Sequence, residues 1–153
     1  MMEKELYQML EKEENIISSL ISAAKLKQTV IVQNDYEGLS GVNETESKLL
    51  SDLDKVSRDQ QKLISRLFEI NSLKENGKPR VLSILVNEYK EIFNPVQLQK
   101  INELRASVRN QVKELTGINH QNRFLIEHAS SLVKETISLL LKTRKTSLID
   151  RKI

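Results

Sequence analysis

The chain has no cysteine, so neither a disulfide framework nor a cysteine-ligated zinc site can hold it together. Tryptophan is absent too, and aromatic residues make up only 4%, which leaves any core to aliphatic side chains. Four glycines and two prolines in 153 residues are too few for the closely spaced turns of a sheet protein. No run of about 18 apolar residues occurs, so no segment reads as a membrane span. The nearest approach to a signal-peptide core, IISSLISAA at 16–24, follows Glu11, Glu13 and Glu14, the wrong charge for the basic flank of such a peptide. There is no Gly-rich phosphate loop and no G-x-S-x-G nucleophile turn. His120 and His128 are the only histidines. Neither has a glutamate three positions earlier, the spacing that places two iron ligands on one helix face. An enzyme is therefore not expected, nor a metal or other cofactor.

What is present is Lys, Glu, Leu, Ser and Ile, the vocabulary of long helices. The length suffices for one domain with its own core. Acidic and basic residues alternate along most of the chain, as on solvated helix faces, and the formal net charge is only +3. Near the end the balance tips: Lys142, Arg144, Lys145, Arg151 and Lys152 are opposed only by Asp150.

Apolar residues at three- and four-residue steps predict a first helix over 4–32, with Leu6, Leu10, Ile17, Leu20, Ala24 and Ile31 on its inner face. QNDYEG then offers Asn34 or Asp35 as an N-cap. The second helix, over 36–73, is the most regular. Leu39, Val42, Glu46, Leu49, Leu53, Val56, Gln60, Leu63, Leu67 and Ile70 alternate steps of three and four without a slip, a coiled-coil seam. KENGKP is a loop, and a short helix follows with Val81, Leu82, Leu85, Val86, Tyr89 and Ile92 inward. Asn94 is placed to cap a last helix that opens on Pro95 and runs towards Lys145. No strand pattern appears. The fold class expected is all-α: an elongated antiparallel bundle with coiled-coil-like packing and a long C-terminal helix that outruns its partners.

That last helix carries an anomaly. Projected at 100° per residue, Ile101, Leu104, Val108, Val112 and Leu115 fill an arc of about 80°. After Gly117 the apolar set, from Ile118 to Leu141, covers about 200°, with Leu125, Leu132 and Leu139 forming an edge at seven-residue spacing. Asn119 and Asn122 fall inside the original arc and are expected to form a buried polar layer that fixes register. Gly117 then marks a junction. Residues 1–117 make the bundle, and residues 118–153 form a partner-binding segment with apolar surface to spare. The competing reading is that Gly117 ends one helix and the next folds back, burying both edges internally.

The stretches LKQTVIVQNDYEGLSGVNETESKLLSDLDKVSRDQQKLI (26–64) and NHQNRFLIEHASSLV (119–133), with the order long, long, short, long helix, resemble the FlgN-like family of bacterial flagellar export chaperones. The resemblance covers most of the chain. It implies a cytosolic, cytoplasmic chaperone of the flagellar type III export system. Its clients would be the hook-associated proteins of the hook–filament junction, held by their C-terminal helical segments and delivered to an export gate component. The family uses its C-terminal region for the client, which points to Ile118, Leu125, Leu132, Leu139 and Leu141 as partner-binding residues.

Other classes fit less well. The basic tail suits phosphate, but no aromatic residue lies beyond Phe124 to stack on a base, so nucleic acid is not the expected partner. The leucines and lysines from Leu139 onward resemble an interfacial helix only weakly, and no stable membrane insertion is expected. The stronger alternative is a coiled-coil module that self-associates through the spare edge as a homo-oligomer, without an export role.

Overall fold

The computed structural model describes the backbone of residues 2–152 and the side chains of residues 2–145. Helix α1 spans Met2–Val32, α2 Tyr36–Ile70, α3 Leu82–Glu88 and α4 Pro95–Lys152, with a single 3-10 turn at Lys90–Ile92. No strand occurs among the described residues. At 1.5 Å per residue, α1 is about 47 Å long, α2 about 53 Å and α4 about 87 Å.

Local chemistry sets the helix ends. Asn34 takes the left-handed conformation, φ 53°. Its N–H donates to Ile31 O at 3.1 Å and the Asp35 N–H to Val30 O at 2.9 Å, which closes α1 with a Schellman turn. Asp35 also opens α2, its carboxylate accepting from the Gly38 N–H at 2.9 Å. A Cβ on residue 38 would meet Asp35 Oδ2 and lie 3.0 Å from Val30, so any other residue there would displace the capping carboxylate. A second Schellman turn ends α2 at Ile70, three residues before the expected end. Ser72 is left-handed at φ 51°, and the Leu73 N–H donates to Phe68 O at 2.9 Å, turning Leu73 back onto the core. The short helix is also briefer than its apolar pattern, because the chain leaves helical geometry at Tyr89, φ −123° and ψ 45°. Helix α4 opens with a reciprocal capping box: the Gln97 N–H donates to Asn94 Oδ1 at 2.7 Å and the Asn94 N–H to Gln97 Oε1 at 3.3 Å.

Helix α1 is the centre of the molecule, and both α2 and α4 pack on it. It can do this because its buried residues spread over about half its circumference. Ala23 and Val30 meet Val42 of α2, while the fully buried Ala24 faces α4. Helix α2 runs antiparallel to α1, as Lys27 pairs with Glu46 at 3.0 Å while Gln60 donates to Glu13 at 2.8 Å and to the Met9 carbonyl. The two polar positions in the α2 seam, Glu46 and Gln60, thus each hold a partner on α1 and fix the register between the helices. Helix α4 runs antiparallel to α2 and hence parallel to α1. The main core fills the end of the bundle where α1 and α4 begin. Leu6 and Leu10, Leu63, Leu67 and Phe68, Leu85 and Val86, and Ile101 meet there, with α3 closing the end. Tyr89 packs edge-on against Phe68 and donates its hydroxyl to the Lys74 carbonyl, tying the connecting loop to that core.

Candidate partner-binding seam on the last helix

The inner face of α4 is a heptad stripe: Ile101, Leu104, Val108, Gln111, Leu115, Ile118, Asn122, Leu125 and Ala129, again at alternating steps of three and four. Every one of these is buried or half-buried. Four polar contacts align the stripe along α1: Ser107 with Glu14 at 2.6 Å, Glu114 with Lys25 at 3.2 Å, Gln121 with Gln28 at 3.2 Å, and Asn122 with Ala24.

Two expectations need correction. The competing reading, a fold-back at Gly117, does not hold: α4 is one continuous helix, and residue 117 is exposed with open space where a Cβ would stand. Packing on α1 also continues past 117, so the division of bundle from partner segment does not fall there. The second correction concerns the polar layer. Asn122 is 2% exposed, and its Nδ2 donates to the Ala24 carbonyl at 2.8 Å. Asn119, by contrast, is exposed and lies beside the open cleft formed by Leu20, Lys27, Glu46 and Leu50. The layer is a single amide. The reason is geometric. A seam that repeats every seven residues drifts by about 20° per heptad relative to a fixed 100° projection. Over the roughly two and a half heptads from Ile101 to Asn119 the drift reaches about 50°, enough to carry Asn119 off the seam.

The same drift reinterprets Leu125, Leu132 and Leu139. They are not an added edge. They continue the stripe that starts at Leu104 and Ile118. Ile118 and Leu125 still pack on the bundle and are half-buried, but Leu132 is 50% and Leu139 65% exposed, because α1 stops at Val32. Val133 and Leu140 flank them, Ile137 and Leu141 lie further around the helix, and all four are at least half exposed. Every described side chain from Ser130 to Lys145 is exposed. At the root of this overhang α4 diverges from the α1–α2 turn, leaving an open groove of about 530 Å³. Val30, Ile31, Tyr36 and Leu39 line one wall, and Ile126, Ala129, Leu132 and Val133 the other. The wall from the turn was not foreseen from sequence. Its one signal was Tyr36, an aromatic side chain directly after the capping Asp35 and 76% exposed.

No group of three or more His, Cys, Asp or Glu side chains capable of holding a metal occurs among the described residues. Both histidines are exposed, and His128 stacks on Phe124 with 6.1 Å between ring centres. No helix among the described residues is long and apolar enough to cross a membrane. The site is thus an exposed apolar continuation of the packed seam.

A model of the family described as FlgN protein matches residues 1–149, bundle and overhang together. The chain belongs to the FlgN family. The family's role is that of a flagellar export chaperone. No curated protein and no solved structure matches this FlgN-family chain.

Proposed function

We propose that this FlgN-family chain holds the C-terminal helical segments of flagellar hook-associated proteins in the cytosol and delivers them to the flagellar type III export gate. The observation that carries the reading is the overhang of α4. Its seam residues keep the bundle's heptad pattern after α1 has ended, so Leu132 and Leu139 present core-type surface with no partner. A contiguous exposed apolar stripe, with no helix among the described residues long and apolar enough to cross a membrane, marks a site for a macromolecular partner. A helical client would lie along the track that α1 vacates, as an amphipathic helix lies in a groove. Its first turn would meet the groove between the α1–α2 turn and Ile126 to Val133. Leu132 and Leu139 supply the contact, Leu141 lies about 200° around the helix from Leu139 and outside it, and Ile118 and Leu125 hold the helix to the bundle.

Titration of the purified chain with C-terminal segments of hook-associated proteins tests this directly. Leu132→Glu combined with Leu139→Glu should abolish binding, because each charge would be forced against the client's apolar stripe. Both positions are exposed in the single chain, so the thermal midpoint at low chain concentration should hold. Unchanged binding by the double variant would place the client elsewhere and defeat the reading.

A further inference from the structure

The overhang has a second property, visible when the heptad is lettered with Ile101, Asn122 and Ala129 at a. Leu132 and Leu139 are then d, Thr136 and Thr143 are a, and Val133 and Leu140 are e. Glu135 and Lys142 are both g, one heptad apart. In an antiparallel pair of helices the g positions of the two chains face each other, as do the e positions; in a parallel pair g faces e. Two copies of this overhang laid antiparallel would bring Glu135 of each copy against Lys142 of the other, twice, by symmetry. Val133 of each would meet Leu140 of the other. A parallel pair would set Glu135 against the apolar Leu140 instead and keep it apart from Lys142. Charge at the flanks of a seam decides orientation in this way.

The seam itself tolerates the pairing. Layers would alternate Leu132 with Thr143 and Thr136 with Leu139. Each threonine hydroxyl is already satisfied within its own helix, Thr136 Oγ1 donating to Leu132 O at 2.8 Å and Thr143 Oγ1 to Leu139 O at 2.9 Å. Burying them therefore leaves no donor unmet. The larger charges agree. The tip of each overhang carries Arg144 and Lys145, and its root lies beside Asp35 of the α1–α2 turn, with Lys134 in partial opposition. Antiparallel overlap brings the tip of one copy to the root of the other.

We infer that, without a client, two copies of this chain pair through antiparallel α4 overhangs, with Glu135 and Lys142 as the reciprocal contacts that set the register. The pairing covers the seam that a client would occupy. It rests on the client reading only in being its resting state, so client binding dissociates the dimer.

Sedimentation of the full chain over a concentration series tests it. The expected result is a reversible dimer, twice the 17.7 kDa of the chain, that weakens as salt is raised. Lys142→Glu alone, or Glu135→Lys alone, turns two attractive contacts into two repulsive ones and should weaken the dimer roughly tenfold. The two changes together restore the reciprocal pairing and should restore the dimer. A chain that stays monomeric at the highest concentrations reached overturns the inference. So does a dimer indifferent to both single reversals, or one that the double exchange fails to rescue. A monomer that still captures hook-associated segments would leave the proposed function standing, which separates the two failures.

Discussion

Replacing Asn122 with leucine should make this protein more stable. Its Nδ2 donates to the Ala24 carbonyl at 2.8 Å, but that carbonyl already accepts the amide four residues on in α1. Losing the side-chain bond costs about 1 kcal/mol and leaves no group of α1 unmet. The other end of the amide matters more. Asn122 Oδ1 is buried with no hydrogen-bond partner, a penalty of roughly 1–3 kcal/mol that leucine removes. Leucine has a similar shape, and its burial adds up to about 1.5–3 kcal/mol. Taking the low ends of the two gains against the one loss leaves at least about 1.5 kcal/mol in favour of the variant. For a chain of this size that is a rise of about 3–6 °C in thermal midpoint, measurable by circular dichroism and by urea melts. The price is specificity: a lone asparagine at an a position fixes which neighbour and register a seam accepts, and an all-aliphatic seam does not. A variant that melts lower than the parent would refute the argument. It would mean that Oδ1 is well satisfied in solution and that the Ala24 contact is worth more than a neutral hydrogen bond.

Other outcomes follow from the same structure. Gly117→Ala adds a methyl group to open space in the middle of a helix and should stabilise by about 1 kcal/mol in urea melts, whereas Gly38→Ala drives a Cβ into the capping Asp35 and should destabilise by at least that much. Ser72→Gly relieves a left-handed serine at the end of α2 and should raise the urea midpoint by an increment worth about 1 kcal/mol. Ending the chain after residue 134 should leave the thermal midpoint within about 2 °C, since no described side chain beyond Ala129 is buried or half-buried, while client binding measured by titration is lost.

How far the sequence reached can be judged residue by residue. The all-helical class was legible in its missing glycines, prolines and aromatics and in the unbroken seam of α2. Nine of the ten named seam positions are indeed turned from solvent; Ile70, at 67% exposure, is the exception, because the helix ends there. Asp35 and Asn94 were readable as caps because capping depends on a few adjacent atoms. Helix ends that depend on a left-handed serine, as at Ser72, carry no such mark. The long apolar stretch of α4 was equally plain, and so was the fact that it exceeds what a one-sided helix needs. Three things were decided only by the tertiary structure. Which face of α4 is inward at Asn119 depends on supercoiling around α1, an effect that accumulates over many turns and is invisible to a straight projection. Where the overhang begins depends on where α1 ends beside it, a relation between residues more than ninety apart. The groove at its root is walled by the α1–α2 turn, which local sequence reads only as a connection. Periodicity and capping are local and survive in one dimension; the end of a shared seam is a property of two helices at once.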